Sequence, residues 1–463
     1  MPDFSTILQA PEIRAIVQEN LLERAFHDAL FPRLLFRGEA TPQVWPASVG
    51  DTMVFSGVGL IKPKMAALPP GVDPLPSSYQ SEQWTAQLQQ YADTIDTHMP
   101  TSIVAIANLF LRNAHQLGLS AGQALNRVVR DRLYNIGASG NTVTTAAAVA
   151  PTNLVPVARL GGFTRARNPL LAGGSPVRFD AVSAANPLAA TVGGVAVSIV
   201  GFAAATPGDE VGPGTLTLAA NIAAFALRAA VVATDASVIQ RVGGGTTIDA
   251  LVAANILTLA DMRSAVARFR QQNVPEQPDG QFHCHLSPRA EGELFADNEF
   301  QRLLTALPDY YMYKQFAIGQ LLGIAFFRNS EAPIAQTVSG GATASYDPAD
   351  PLGLELFVGG TTAGLAVEHS LLVGQGAIYE YHQDLSQLIT EAGVTGRVGE
   401  PRITNNGIEV FTDRIQLIIR SPLNRLQDLV ATSWRFIGDW PARTDATVGD
   451  AARYKRVVVI EHA

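Results

Sequence analysis

A long hairpin with a proline-rich tip constrains this chain more than any other feature. Residues 49–59 (VGDTMVFSGVG) predict a strand introduced by a Gly50-Asp51 turn, and residues 81–97 (SEQWTAQLQQYADTIDT) predict the returning strand. The tip between them reads LIKPKMAALPPGVDPLPSSYQ. The residues expected to share one face of the returning strand are Trp84, Ala86, Leu88 and Gln90. Because isolated two-stranded ribbons are marginally stable in water, this hairpin is expected to lie against something outside its own domain.

Two helices flank the hairpin in the sequence. Residues 11–30 predict an amphipathic helix with an apolar stripe, and residues 101–136 predict the longest helix, ending at Gly137 as the residue after its C-cap. If continuous, that second helix is about 50 Å long at 1.5 Å per residue, longer than the core of one small domain requires. Gly118 and Gly122 are the candidates for a bend within it.

The remainder of the chain alternates between β-rich and mixed segments. Residues 155–247 are rich in Ala, Gly, Val and Thr and predict an inserted, mostly β subdomain. A helix over 257–272 begins at the N-cap Thr258, and the strand QFHCHL is followed by a helix that starts at Ser287-Pro288. The C-terminal part predicts strands, with Asn406-Gly407 as a hairpin turn.

The low charge of the chain has two explanations. Charged residues make up 16%, against roughly 25% in an average soluble protein. Either neighbouring copies cover much of the surface, since interface cores are depleted of charge, or the sequence reflects a GC-rich genome. The net charge is −8 and no Lys/Arg cluster is present, which disfavours tight or sequence-specific DNA binding. The single cysteine excludes an internal disulfide framework.

Targeting signals are not evident in the sequence. The N-terminus lacks the basic and apolar regions of a signal peptide, and the apolar run 189–205 alternates as a strand does. We therefore expect a protein of a reducing compartment that does not span a membrane.

The stretch His283-Cys284-His285 is the strongest candidate for a metal site. On a strand His283 and His285 share a face and Cys284 points away, so the three cannot bind one ion together. A zinc site would need further ligands, and no CxxC, HxxxH or HExxH spacing supplies them. We expect a buried strand, with no metal, cofactor or catalytic residue here.

Other chemistry is equally weakly indicated. The glycines of RVGGGTT are not followed by a phosphate-binding Lys, and no GxSxG occurs. The pairs Glu368-His369 and Glu461-His462 are expected to be structural. Lys62 and Lys64 at the hairpin tip either keep it soluble or form an isopeptide bond with an Asn of a neighbouring subunit.

The order of these elements resembles one known family. The frame NVPEQPDGQFHCHLSPRAEGELFAD, then IGQLLGIAFFRNSEAP, and the closing strands SPLNRLQDLVATSWRFIGDW and ARYKRVVVIE are similar to major capsid proteins of tailed double-stranded-DNA bacteriophages, which have the Hong Kong 97-type fold. The matching positions of the first two segments are Asn273, Pro275, Asp279, Gly280, Phe282, Leu286, Pro288, Leu294, Ile318, Gly319, Gly323 and Ile324. The resemblance covers about 1–150 and 250–463, and 155–247 departs from it.

The resemblance implies an α+β fold with five parts. They are an N-terminal arm (1–49), an extended hairpin or E-loop (50–100), the spine helix of the P-domain (101–137), an A-domain (138–400) with the inserted β-rich subdomain, and C-terminal strands (401–463). Candidate intersubunit contacts are Lys62, Lys64, Trp84, Tyr91, Arg425 and Trp434.

The implied function is structural. The family self-assembles through hexamers and pentamers into an icosahedral head that encloses double-stranded DNA without sequence-specific binding, assembles in the host cytoplasm and remains in the virion. Scaffolding, portal and decoration proteins are possible partners, and no membrane is involved. Three alternatives stay open: an encapsulin-like nanocompartment shell, a metal-dependent hydrolase that uses His283 and His285, and a β-rich surface adhesin.

Overall fold

The described part of the chain covers most of its length. The computed structural model describes residues 21–30, 35–46, 50–58, 64–65, 67–74, 81–98, 109–169, 177–207, 210–234, 236–306, 320–338, 345–346, 354–358, 365–383, 402–404, 407–412, 414–420, 429–442, 445–446, 453–454 and 456–463. Chain contacts divide it into two units. The first comprises Met1–Val54, Thr85–Val129 and Ile378–Pro441, and the second comprises Phe55–Trp84, Arg130–Ala377 and Ala442–Ala463.

The described helices are few. In chain order they are α1 (Leu21–Leu30), α2 (Leu109–Ala138), α3 (Leu259–Gln271), α4 (Pro288–Ala296) and α5 (Asn298–Ala306), with short 3₁₀ helices at Phe36–Glu39 and Ile248–Ala250. None of the helices in the described ranges is long and apolar enough to cross a membrane.

Strands dominate the described residues. Those before residue 100 are β1 (Thr41–Trp45), β2 (Thr52–Val58), β3 (Ser81–Gln87) and β4 (Gln89–His98). The next are β5 (Asn141–Val143), β6 (Thr152–Val157), β7 (Arg165–Pro169), β8 (Val177–Ala181), β9 (Leu188–Val192), β10 (Val195–Ala204), β11 (Gly214–Ile222), β12 (Ala230–Ala233) and β13 (Gln240–Arg241). Then follow β14 (Phe282–Leu286), β15 (Gln320–Leu321), β16 (Ile324–Arg328), β17 (Ile334–Val338), β18 (Ser345–Tyr346), β19 (Leu354–Val358), β20 (Ala366–Val373) and β21 (Tyr379–Gln383). The last are β22 (Arg402–Thr404), β23 (Gly407–Thr412), β24 (Ile415–Arg420), β25 (Leu429–Asp439), β26 (Asp445–Ala446), β27 (Arg453–Tyr454) and β28 (Val457–His462). The α+β class predicted from the sequence is confirmed.

The first unit is built on a seven-stranded sheet. Its order is β1-β21-β25-β24-β23-β22, and β4 pairs with β25 over ten positions, from Gln89↔Gly438 to His98↔Leu429. Along β25 buried and half-buried residues alternate, as expected when one face of a strand is covered.

The second unit contains a nine-stranded mixed sheet with a doubly covered centre. Its order is β15-β16-β14-β20-β17-β19-β18, with β28 pairing β20 and β13. All six residues of β28 and seven of the eight in β20 are buried. Such continuous burial requires cover on both faces, and near-continuous apolar runs such as Val457–Ile460 are the sequence signature of that arrangement.

A small closed barrel forms the β-rich insertion of the second unit. Its six strands run in the order β5-β12-β9-β10-β11-β6, every pair antiparallel. The two ends of this order are joined by backbone hydrogen bonds from Ala158 N to Val143 O and from Thr145 N to Pro156 O, both 3.0 Å. Closure leaves no free strand edge, and an apolar core that includes Phe163 and Val231 fills the interior. The barrel spans 141–233, so it begins earlier and ends earlier than the predicted 155–247.

The predicted returning strand of the hairpin is in fact two strands. Only β3 pairs with β2, in a separate two-stranded sheet, whereas β4 joins the first unit's sheet. The chain changes partner at Leu88, whose amide donates to Asp51 O (2.8 Å), just after the Gln87 amide donates to Asp439 Oδ2 (3.0 Å). The single ribbon predicted over 81–97 was therefore wrong beyond residue 87. Ala86 is buried and Trp84 and Leu88 are half-buried, but Gln90 is exposed.

Helix α2 does not end where the sequence predicts. Gly137 lies inside the helix, which continues to Ala138, and the left-handed residue after it is Gly140 (φ 75°). Gly137 has a packing role instead, because a Cβ there would lie 2.5 Å from Val459 Cγ2 of β28. Residues 101–108, which include the predicted start of this helix, and residues 11–20 of the N-terminal helix lie outside the described residues.

The local signals around β14 are confirmed. Thr258 and Asp261 form a capping box at the start of α3, and Ser287 Oγ accepts the Ala290 amide (3.0 Å) at the start of α4. Asn273 adopts a left-handed conformation (φ 53°) where α3 ends, and Gly280 does the same (φ 77°) in the turn before β14. The Asn, Gly and Ser-Pro of this frame are thus explained by backbone geometry.

Candidate functional site

The His283-Cys284-His285 stretch is a core strand. Both histidine rings contact Phe327, at centroid distances of 4.8 and 5.5 Å, so the prediction that they share a face is confirmed. Cys284 is fully buried in the apolar core on the other face. His283 Nε2 lies 3.0 Å from Asp279 Oδ2. Among the described residues no group of three or more His, Cys, Asp or Glu side chains has an arrangement that would hold a metal ion.

The structure brings together a Ser-His-Glu set that the sequence did not indicate. His462 Nδ1 lies 2.8 Å from Glu293 Oε2 and its Nε2 lies 3.1 Å from Ser370 Oγ, so the imidazole bridges the carboxylate and the hydroxyl. The succession of contacts from hydroxyl to imidazole to carboxylate, and their distances, match those of a hydrolase triad. However, Ser370 is 1% exposed and His462 is fully buried. A nucleophile must reach a substrate, so in this state the set can only tie β20, β28 and α4 together.

Glu293 is the central member of that arrangement. Its carboxylate also accepts the Leu257 amide (2.9 Å) and lies 3.2 Å from Arg289 Nε. Burial alone would raise its pKa, but the hydrogen bonds from His462 and Leu257, with the charges of His462 and Arg289, outweigh burial and hold the pKa below its ordinary value. The ionised form therefore stabilises the fold.

The opposite face of the same strands carries a second buried polar cluster. Glu461 accepts from Arg241 Nε (2.6 Å), and its other oxygen lies 3.8 Å from His369 Nε2. The His369 ring meets Tyr134 of α2 edge-on at 4.9 Å. The pairs Glu368-His369 and Glu461-His462 thus place neighbouring side chains on opposite faces of the sheet, and no acid/base dyad forms between adjacent residues.

Glu380 is the most buried carboxylate among the described residues of the first unit. Arg37 forms a two-pronged pair with Glu380 (2.8 and 2.7 Å), and Arg414 Nη1 donates to the same carboxylate (3.0 Å). Burial would raise the pKa of Glu380, yet the hydrogen bonds and charges of both arginines lower it. Burial and the nearby Arg414 charge also lower the pKa of His382. This cluster fastens the segment before β1 to β21.

The described part of the hairpin tip is exposed throughout. Lys64, Met65 and residues 67–74 are all exposed, with Met65 at 93% and Leu68 and Val72 at 55% each. At the base of the hairpin Phe55 stacks on Trp84 with ring centroids 6.1 Å apart. Apolar side chains at the end of a thin ribbon are what a contact with another surface requires.

The predicted contact residues fall into different environments. Lys62 and Arg425 lie outside the described residues. Tyr91 is half-buried against Phe436 and Trp440 and donates from its hydroxyl to Gln89 Oε1 (2.9 Å). Trp434 is only 2% exposed, because its ring is covered within the first unit. Trp434 therefore offers little surface in the single chain, and its contact with a neighbouring subunit stays a prediction.

The two glycines proposed as a bend lie inside a continuous α-helix. At Gly118 a Cβ would lie 2.5 Å from Phe26 O and 3.0 Å from Ala29 Cβ, so glycine there permits close approach of α1. Gly122 is buried. The bend itself remains a prediction.

Comparisons with known proteins give structural neighbours only. No protein-family model matches the chain, and no curated protein sequence is a significant match. The chain is similar to the capsid of Ralstonia phage GP4 (TM-score 0.44, 11% identity, 91% of this chain and 86% of that one). It is also similar to the capsid of cyanophage P-SCSP1u (0.45, 10%, 93% and 88%) and to the cyanophage Pam1 capsid (0.45, 11%, 94% and 92%).

Proposed function

We propose that this chain is the major capsid protein of a tailed double-stranded-DNA bacteriophage, a structural subunit that self-assembles into a closed shell. The observation that carries the proposal is the hairpin. Strands β2 and β3 form a sheet of their own, and the described tip residues, Met65 foremost, are exposed and partly apolar. A two-stranded ribbon is marginal alone, and a neighbouring subunit supplies the surface that it lacks.

The sequence frame around β14 supports the same proposal. The residues that resemble the capsid family include those that adopt special local geometry: Asn273 and Gly280 with positive φ, and Pro288 in the first turn of α4 behind its cap Ser287. A match at positions with such narrow conformational requirements is more informative than a match at ordinary core positions.

The finer parts of the proposal follow from the resemblance. Copies associate as hexamers and pentamers, enclose double-stranded DNA without reading its sequence, assemble in the host cytoplasm and stay in the virion. A net charge of −8 suits a container, because a wall that bound the duplex tightly would oppose its entry and release. Scaffolding, portal and decoration proteins are candidate partners. Gly118 and Gly122 are candidates for a bend of α2 during shell expansion.

Electron microscopy of the expressed chain tests the proposal. We expect closed shells from the wild-type chain, alone or with a co-expressed scaffolding protein. The variant Met65→Asp with Leu68→Asp should remain folded and fail to assemble, whereas Asp73→Asn, at an exposed tip position, should assemble normally. Monodisperse wild-type monomers under every condition would overturn the proposal.

The contents of the shell separate the phage capsid from an encapsulin-like compartment. Particles purified from infected cells should contain DNA, whereas a nanocompartment contains cargo protein. The metal-dependent hydrolase would be supported only if the purified protein contained stoichiometric zinc and if the substitutions His283→Ala and His285→Ala removed that zinc.

A further inference from the structure

A buried histidine adjoins the Glu380 cluster of the first unit. His382 follows Glu380 by two positions in β21, so both side chains lie on the same face of the strand. Glu380 accepts hydrogen bonds from Arg37 (2.8 and 2.7 Å) and from Arg414 (3.0 Å). His382 is 9% exposed. The imidazole is therefore buried on a face that holds two guanidinium groups and one carboxylate.

Strand register shows which other side chains share that face. Val44 of β1 lies directly opposite His382 on one side, and Gly438 of β25 lies opposite it on the other. Directly opposed residues point to the same face of a sheet, and neither of these two is charged. The charged residues of β25 nearest to this point, Arg435 and Asp439, stand an odd number of positions from Gly438 and so point to the other face. Strand β1 contains no charged residue.

One ring nitrogen of His382 has no hydrogen-bond partner. This atom, Nδ1, is buried. In the neutral imidazole Nδ1 can be the nitrogen that carries no hydrogen, whereas in the imidazolium it becomes a buried donor without an acceptor. Protonation would also add a third positive charge beside Arg37 and Arg414, with Glu380 as the one carboxylate of the cluster. Both effects oppose the charged form.

The electrostatic surroundings agree with this geometry. Burial lowers the pKa of His382 below its ordinary value of 6.5, and the charge of Arg414 lowers it further. The carboxylate and backbone of Glu380 raise the pKa, the charge of Arg37 lowers it, and the net shift is downward. Because the pKa is lower in the folded than in the unfolded chain, the contribution of His382 to stability is fully present above pH 6.5 and is lost as the pH falls below it.

The segment that depends on this face is β1 with the 3₁₀ helix Phe36–Glu39 before it. Strand β1 lies at the end of the sheet, and within the described ranges β21 is its one strand partner. His382 stands opposite Val44 in that pairing. Arg37 fastens the 3₁₀ helix to Glu380. A charge on the imidazole would therefore act on both attachments.

We propose that His382 is a pH sensor of the first unit: in mild acid its imidazole takes up a proton, and the added charge loosens β1 and the 3₁₀ helix from β21. Strand β1 ends at Trp45 and β2 begins at Thr52, so the segment that loosens leads directly into the hairpin. The sensor acts within one chain and does not rest on the proposed shell.

Hydrogen exchange of the unassembled subunit tests the inference. Protection factors of residues 41–45 and 378–383 should fall between about pH 7.5 and about pH 5.5, by at most about tenfold per pH unit, because one group binds one proton. Over this range Glu380 stays ionised, since its pKa is held below 4.5. The fall therefore reports on the imidazole and not on the carboxylate.

Two variants identify the group that titrates. In His382→Gln the protection of both segments should depend less on pH than in wild type. In Arg414→Met, which changes a side chain that is 32% exposed, the fall should become smaller, because one of the charges that oppose the imidazolium is gone. The matched control is His98→Gln, which removes an exposed imidazole from β4 of the same unit and should leave the fall as in wild type.

Three results would overturn the inference. The first is constant protection of residues 41–45 and 378–383 across the pH range in wild type. The second is a fall in His382→Gln as steep as in wild type, and the third is an unchanged fall in Arg414→Met. Because the subunit is unassembled, these results do not depend on whether shells form, and a failure of the sensor leaves the proposed function standing.

Discussion

The barrel and the hairpin are two β structures of one chain that solve the same problem in opposite ways. The barrel closes its six strands on themselves and buries an apolar core, and its described buried side chains include no charged group. The hairpin has two strands and an exposed apolar tip. The difference teaches that strand count alone decides which element depends on a partner: six strands can enclose a core, whereas two cannot.

The root of the hairpin adds a second contrast. Just after the hairpin, the Gln87 amide donates a hydrogen bond to Asp439 of the first unit. The first unit also buries the Glu380 carboxylate between Arg37 and Arg414. The barrel interior depends on dispersion and apolar burial. Core truncation, charge removal, acid and tip substitution should therefore affect the two regions differently.

Truncation of the barrel core should have the largest effect on stability. Phe163 is fully buried in that core, so Phe163→Ala should cost the barrel about 3–5 kcal/mol. Hydrogen exchange of strands β9 to β11 in the unassembled subunit measures this loss. The four tryptophans, Trp45, Trp84, Trp434 and Trp440, all lie outside the barrel, so fluorescence reports on the hairpin and first unit separately.

That separation supplies the control for the first prediction. If the barrel is self-contained, the fluorescence transition of Phe163→Ala should stay at the wild-type denaturant concentration. An equal shift of both signals would show that barrel and hairpin share one cooperative unit. Leu227→Ala, at a half-exposed barrel position, should change neither signal appreciably.

Removal of Arg37 tests the charged anchor of the first unit. Arg37→Met leaves the Glu380 carboxylate buried with Arg414 as its one remaining arginine, which should cost about 3 kcal/mol. Tryptophan fluorescence should report the loss, while exchange in the barrel should be unchanged. Arg414→Met should cost less, because Arg414 is one-third exposed. Adding Glu380→Gln to Arg37→Met should restore part of the stability, and no recovery would argue against an uncompensated buried charge.

Low pH should destabilise the strands around Glu293 and Glu380 before it destabilises the barrel. The pKa values of Glu293 and Glu380 are both held below the ordinary value of 4.5. Their contributions are fully present above pH 4.5 and are lost as the pH falls through the lower folded-state values. On acidification, exchange should rise first in 378–383 and 456–463 while β9 to β11 stay protected. The variant Glu293→Gln should be less stable than wild type near neutral pH, and hydrogen exchange around β28 should depend less on pH in this variant. If the barrel lost protection at the same pH as residues 378–383 and 456–463, the prediction would be contradicted.

The sequence predicted what local signals determine. The caps Thr258 and Ser287 and the strand Phe282–Leu286 depend on residues adjacent in the chain, and each is where it was predicted. The Ser370-His462-Glu293 set was missed because its members are 92 and 169 residues apart and meet only through strand register and helix packing. The same limit explains why the packing role of Gly137 was not predicted, because its neighbour Val459 lies far away in the sequence.

Substitution at the hairpin tip should have the smallest effect on folding. Met65 is 93% exposed and Leu68 55%, so Met65→Ser with Leu68→Ser removes little buried surface, and the free energy of unfolding should change by less than about 1 kcal/mol. If the proposed function holds, shell yield should nevertheless fall, because the tip would lose apolar surface for contact with a neighbouring subunit. Denaturant titration of the free subunit measures the first quantity and sedimentation of assembled particles the second. Normal assembly of this variant would show that the exposed tip does not need a partner, and the contrast with the self-sufficient barrel would no longer support the proposed shell.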